Sequence, residues 1–191
     1  MESRPLFKLQ PPKRDGRAFK HSAVEGLLRG FGVGSGSAEM TEVLEVLGVT
    51  GGLPAEYPVE RYIMLIEWLA RRFYPGMPQP EAIRSVGMRM LHGYRQTLLG
   101  QIQLKALNLM GPERLMRKMG DFIGRNSNFG ERTAEQVSAR HWKLRFRDVP
   151  IAPEFYQGLC EAAFEVMGIK GVRMTFERKG PDDTEFEVRW E

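Results

Sequence analysis

Three histidines, one cysteine and two clusters of basic residues offer this 191-residue sequence most of its scope for chemistry. His21, His92 and His141 are dispersed, and no His-Glu-x-x-His or Cys-x-x-Cys spacing is present to hold zinc. Cys160 falls among apolar neighbours in a helical pattern. A thiol there is expected to be buried and inert, because a nucleophile needs an adjacent base and an electropositive setting. Gly34-Ser35-Gly36-Ser37 lacks the lysine of a phosphate-binding loop, and no Gly-x-Ser-x-Gly elbow occurs. The sequence therefore points away from an enzyme. His92 lies on a long, mostly apolar helical stretch, where its imidazole could ligate a haem iron or act as a core or interface histidine with a hydrogen-bond partner. Tyr94, Thr97 and Gly100 share neighbouring turns of that stretch, and a glycine beside hydroxyls lets a second backbone or a ligand approach closely. His92, Tyr94, Thr97 and Tyr156 are the candidate ligand-binding set.

The basic residues suggest a second site. Arg114, Arg117 and Lys118 lie near the start of a helix, where free backbone N–H groups and the dipole favour anions. Lys143, Arg145 and Arg147 project to one face of a strand. Arg114, Lys118, Lys143, Arg145 and Arg147 are thus candidates for an anionic group or an acidic partner, the alternative being a solvated basic face. Trp142 and Phe146 alternate to the other side, so the exposed aromatics that nucleic-acid binding uses are missing. The net charge of +4 resides in residues 1–20, and the rest of the chain balances at 22 basic and 22 acidic groups. Residues 114–147 are basic and residues 148–191 acidic, a segregation that suits head-to-tail contact or partner recognition as well as two ordinary solvated faces.

The elements that must position these groups can be read from periodicity. Residues 1–18 form a basic arm broken by Pro5, Pro11, Pro12 and Gly16, expected to be flexible, and residues 19–191 form one domain. Apolar spacings of three and four predict helices over 21–31, 38–47 (with Ser37 as cap), from Tyr57-Pro58 to Phe73, from Pro80 to about 110 with a bend at Gly100, and from Pro112 to Ile123. In the fourth helix Ile83, Val86, Met90, Leu91, Tyr94, Leu98, Ile102 and Leu109 are expected inward. The period then changes to two, at Trp142/Leu144/Phe146, Val172/Met174/Phe176 and Phe186/Val188/Trp190. One helix, 153–167, separates the first and second of these strands and shows Phe155, Leu159, Ala163 and Val166 inward. The fold class is α+β: about five helices packed on a small antiparallel sheet built by a C-terminal strand–helix–strand–strand segment. One cysteine, no apolar run long enough to span a bilayer and no secretory leader suggest a cytoplasmic protein.

Gly93-Tyr94-Arg95-Gln96-Thr97-Leu98-Leu99-Gly100, Gly111-Pro112-Glu113-Arg114 and Asn126-Ser127-Asn128 resemble a myxobacterial paralogous family of unknown function. Tyr57-Pro58, Tyr74-Pro75-Gly76, Phe155-Tyr156-Gln157-Gly158 and the closing Val188-Arg189-Trp190 fit it too, so the resemblance spans about residues 19–191. The C-terminal part is distantly similar to the superfamily of haem–nitric-oxide-binding domains, 4-vinyl-reductase domains and Golgi-transport subunits. That resemblance implies an α+β fold, a pocket or acylated channel between helices and sheet, and frequent dimerisation. The haem branch uses a helical histidine, which His92 could match, and a Tyr-x-Ser-x-Arg motif. Here Tyr57-Pro58-Val59-Glu60-Arg61 has valine in place of serine and precedes the histidine. The expected function is a non-enzymatic sensory or adaptor domain that binds a small apolar or mixed ligand and signals through a protein partner or homodimer. A ligand-free interaction scaffold is the alternative, and a haem gas sensor with His92 as proximal ligand is a further one.

Overall fold

Prolines and glycines punctuate the chain, and the computed structural model, which describes residues 16–191, places the elements between them. A short antiparallel ribbon pairs β1 (Ala18–Lys20) with β2 (Glu56–Pro58). The helices α1 (His21–Gly30), α2 (Ala38–Leu47), α3 (Val59–Phe73), α4 (Gln79–Tyr94), α5 (Leu98–Met110) and α6 (Pro112–Gly124) make the helical layer. The C-terminal part holds β3 (Glu131–Ser138), β4 (His141–Arg147), α7 (Pro153–Val166), β5 (Arg173–Arg178) and β6 (Thr184–Arg189). These four strands form one antiparallel sheet in the order β3-β4-β6-β5. The α+β class expected from the sequence is the class observed. Among the described residues no helix is long and apolar enough to cross a membrane.

The alternation in β4, β5 and β6 sends Trp142, Leu144, Phe146, Met174, Phe186 and Val188 inward, as expected. β3 is an addition to the three expected strands. Its inward positions, Arg132, Ala134 and Gln136, pair with Phe146, Leu144 and Trp142. They carry little hydrophobicity, so no apolar period of two reveals the strand. Tyr57 likewise belongs to β2 rather than to a helix, because that extended segment drives its ring into the core beside Phe19. Arg17 is already tied to the fold, its carbonyl accepting from the Val59 N–H, whereas the rest of the expected flexible arm up to Asp15 lies outside the described residues. Ser37 occupies the position before α2, but its hydroxyl makes no capping bond.

Helix α7 is the sandwich filling. Phe155 faces the helices, 6.3 Å from the Tyr62 ring, while Tyr156 lies on Phe146 and Phe186 of the sheet. Its expected one-sided stripe is therefore incomplete: Tyr156, Cys160 and Phe164 are buried as well. Helix α4 reaches α7 backbone to backbone. A Cβ on Gly87 would overlap the Phe155 carbonyl, and one on Gly158 would overlap that of Arg84. On its other side α4 meets α1 in the same way, Gly93 lying against Gly26 and Gly30.

The single helix expected from Pro80 to about 110 is two helices. Thr97 adopts an extended backbone, its Oγ1 accepts from the Gly100 N–H at 2.9 Å and its hydroxyl donates to the Tyr94 carbonyl at 2.8 Å. Gly100 packs against that same carbonyl, where a Cβ would not fit. This corner turns α5 outward. Leu98, Ile102 and Leu109, expected inward, are 76%, 61% and 83% exposed, and Leu104 takes the buried position instead. Overpacking of a tight crossing costs about 1–3 kcal/mol. Gly87→Ala and Gly158→Ala should each lower the unfolding free energy in urea by roughly that amount. Gly52→Ala, at an exposed site with open space around it, should not. Wild-type stability in Gly87→Ala would contradict the crossing.

Candidate functional site

Of the four candidate ligand residues, the structure brings two together. Tyr94, from the end of α4, and Tyr156, from the start of α7, line one buried cavity with Phe19, Met90, Leu91, Phe122, Ile123, Asn126 and Leu159. Its volume is about 30 Å³, room for a water molecule. The Tyr94 hydroxyl donates to Gln103 Oε1 of α5 at 2.8 Å. The Tyr156 hydroxyl is buried beside the Arg132 guanidinium, which acts on it by charge and by a long hydrogen bond, and no closer partner meets it. Burial raises the pKa of both phenols. At Tyr156 the Arg132 guanidinium draws it partly back, and at Tyr94 Arg125 does so.

Thr97 and His92 fall elsewhere. Thr97 is buried, but its hydroxyl is spent on both sides of the α4–α5 corner, a structural role. His92 is exposed, because α4 turns Leu91, Gly93 and Tyr94 inward and leaves position 92 to solvent. A haem held by His92 does not fit this arrangement, because the exposed histidine is not part of the cavity. Among the described residues no group of three His, Cys, Asp or Glu side chains could hold a metal ion. Cys160 is buried and its thiol pKa is pushed up by burial, then by Glu161, so no thiolate is available there.

The five basic candidates do not converge. Helix α6 lies on the inner face of the sheet, where Gly120 packs on Arg132 and the Arg117 guanidinium lies 6.0 Å from the Trp142 ring centroid. Lys143, Arg145 and Arg147 alternate with the buried side chains of β4 and point to the outer face, away from Arg114 and Lys118. On that face Arg145 pairs with Glu135 at 2.8 Å and Glu185 at 3.0 Å, and Lys143 with Glu185 at 3.6 Å and Glu187 at 3.9 Å. Lys118 has Asp121 at 3.4 Å. The basic and acidic segments that segregate in sequence are thus interleaved by strand pairing, because β6 inserts its glutamates beside β4.

The residue that sequence reasoning passed over is Arg132. Its position on the polar strand β3 gave no signal, since burial there depends on the Phe146 register and on the glycines of α6. Its Nη1 donates to the Phe129 carbonyl at 2.9 Å and to that of Gly130 at 3.3 Å, while Nε and Nη2 are buried without a partner. Two larger hollows lie at the surface. An open groove of about 530 Å³ runs between α1, α2 and residues 51–53, and a hollow of about 200 Å³ lies beside Tyr74 and Met77. In the groove His21 Nδ1 is 3.3 Å from the hydroxyl of Tyr57, whose pKa burial pushes up to about 12.

Comparison with known proteins matches residues 17–191 to a family model described as "Protein of unknown function (DUF2378)". No curated protein matches the chain. Among solved structures, an H-NOX protein from S. oneidensis in the Fe(II) ligation state is similar with a TM-score of 0.67 and 13% identity, over 89% of this chain and 95% of that one. An unliganded Fe(II) H-NOX mutant from K. algicida gives 0.63 and 12% identity, over 90% and 96%. A structure concerned with haem redox potential and protein-induced porphyrin distortion gives 0.63 and 12%, over 90% and 99%. At such identities the likeness establishes the fold. The sheet's outer ladder gives a pH prediction. Hydrogen bonding to Arg145 holds Glu185 below its ordinary pKa of 4.5 against a smaller opposing effect of burial, and the charges of Lys143, Arg145 and Lys179 add to the lowering. A depressed carboxylate stabilises the fold above its unfolded pKa, and that contribution is lost as pH falls through the folded value. The stability gap between wild type and Glu185→Gln should be present at neutral pH, shrink progressively as pH falls below about 4, and shrink with added salt. An unchanged gap in acid, followed by thermal melting, would count against the ladder.

Proposed function

The chain belongs to the DUF2378 family, and from that membership, the H-NOX-like fold and the cavity we propose that it is a non-enzymatic sensory or adaptor domain. It binds a small apolar or mixed ligand between helices and sheet and signals to a protein partner or to a second copy of itself. One observation carries the reading: a cavity at the helix–sheet junction, apolar in most of its lining, is faced by Tyr156, whose buried hydroxyl has the Arg132 guanidinium beside it but no close hydrogen bond. A buried polar group left unpaired costs about 1–3 kcal/mol, so such a site is stabilised by whatever pairs with it.

Tyr94 supplies the route outward. Its ring lines the cavity and its hydroxyl holds Gln103 on α5. A ligand that displaces the ring releases this hold, and α5 carries Leu98, Leu99 and Ile102 on an exposed face. Met90 and Leu91 sit on the same stretch of α4, and the flexible methionine lets the cavity widen without moving backbone. A homo-oligomeric state agrees with this exposed face. The scaffold reading has one observation in its favour, since the apolar face of α5 would serve a partner with no ligand present.

Native mass spectrometry of freshly purified protein separates the two. The ligand reading expects additional mass that leaves on denaturation, or uptake of aliphatic alcohols or acids on incubation. A persistently empty protein with a fixed oligomeric state would favour the scaffold. The absorption spectrum of the same sample should lack a Soret band; its presence would restore the haem alternative. Tyr94→Phe, which keeps the ring and loses the Gln103 bond, should leave uptake within about twofold and loosen α5, seen as faster proteolysis there.

A further inference from the structure

Exposed apolar side chains on this protein are concentrated on one helix. Among the described residues six large hydrophobic side chains face solvent, and four of them, Leu98, Leu99, Ile102 and Leu109, belong to α5. At about 100° per residue, Leu98, Ile102 and Leu109 fall in one row along the helix, and Leu99 borders it. Leu104, on the side away from this row, is buried, and Gln103 accepts from the Tyr94 hydroxyl. The helix is thus anchored by one side and offers the other. Lys105, the one charged residue in α5, stands in the same row. A lysine stem in that position covers apolar surface while its ammonium reaches a polar boundary.

The charge around this row has one sign. Residues 95–125 hold six basic side chains and two acidic ones, whereas residues 21–94 and 126–191 together hold 16 basic and 20 acidic. Arg95 precedes the row, Arg114 follows it beyond the Gly111 turn, and Arg125 ends α6 near Tyr94; all three are exposed. An apolar row in a basic field matches the interface of an anionic bilayer, which takes leucines among its acyl chains and cations at its headgroups. We infer that α5 is a membrane-docking helix, which seats the protein on a surface of anionic lipid without spanning it. The acidic balance of the remaining residues orients the molecule, since such a surface attracts residues 95–125 and repels the rest. A second copy would bury the same leucines, but it would set this positive region against itself, and like charges face to face weaken an interface. The inference concerns the outside of α5 and stands whether or not the cavity takes a ligand.

Cosedimentation of the full chain with lipid vesicles tests this, comparing phosphatidylcholine alone with phosphatidylcholine containing phosphatidylglycerol at low ionic strength. The protein should partition onto the anionic vesicles about tenfold or more strongly than onto the neutral ones, and added salt should reduce the difference. Leu98→Ser combined with Ile102→Ser should weaken binding about tenfold or more through the lost acyl contact. The melting temperature should stay unchanged, because both side chains are exposed in the free protein. Lys105→Gln and Arg114→Gln should each weaken binding about fivefold, whereas Lys170→Gln, exposed but outside this region, should change it little. A polarity-sensitive dye on Ile102→Cys should shift to the blue on anionic vesicles; Cys160 is buried and escapes the label. Should the double serine variant fail to fold, this shift decides. No binding to anionic vesicles would overturn the inference, as would equal binding to both kinds of vesicle. Binding that survives the α5 variants would place the contact elsewhere, in the basic residues 1–20 for instance, and overturn it too. A dimer that forms without lipid and is broken by the double serine variant would assign the face to a second copy instead.

Discussion

Everything inside this protein is arranged around the closeness of α4 to its two neighbours. Helices normally pack with their axes 8–10 Å apart, held off by side chains. Here Gly87 against Phe155, Gly158 against Arg84, and Gly93 against Gly26 and Gly30 remove the side chains at the crossings. Three helices become one slab, and α7, pressed by α4, is in turn pressed onto Phe146 and Phe186 of the sheet. The interior is thereby closed along most of the helix–sheet junction. What remains open lies at the far end of α4, where Tyr94 leads into the corner and α6 rather than α7 covers the sheet.

The functional reading follows from that asymmetry. The slab cannot yield without steric overlap, so adaptation to a ligand falls to the parts beyond it: Met90, Tyr94, α5 and α6. Tyr156 faces the cavity at that end with Arg132 beside its hydroxyl, and the Tyr94–Gln103 bond links it to the exposed leucines of α5. The fold is shared with H-NOX structures at TM-scores of 0.60–0.67, yet the residues here do not make room for a porphyrin under His92. A common fold with a differently filled junction is what is expected when function resides in the site and not in the architecture.

Much of the fold was legible in the sequence because it depends on local rules. The alternation in β4, β5 and β6 and the Pro/Gly stops around Tyr74-Pro75-Gly76 and Gly111-Pro112 each follow from patterns a few residues long. The features that escaped depend on distant partners. β3 is a strand because β4 pairs with it, although its own inward residues are Arg132, Ala134 and Gln136. Helix α4 ends at Tyr94 because the Thr97 hydroxyl and Gly100 close a corner that apolar spacing continues straight through. Tyr94 and Tyr156 could be singled out as hydroxyl-bearing residues on apolar helices, but Arg132 looked like any surface arginine and His92 like a core histidine. For both, orientation is set by which helix covers them, and spacing along one chain segment does not encode that.

Backbone amide hydrogen exchange in the native protein tests the central claim, that a glycine-packed slab is fixed and the layer beyond it yields. Amides of α4 from Val86 to Leu91 and of α7 from Tyr156 to Cys160 should exchange only through global unfolding, while those of α5 exchange through local opening at much lower free energy. Equal protection of α5 and the slab, or exchange of α4 and α7 as rapid as that of α5, would contradict the account.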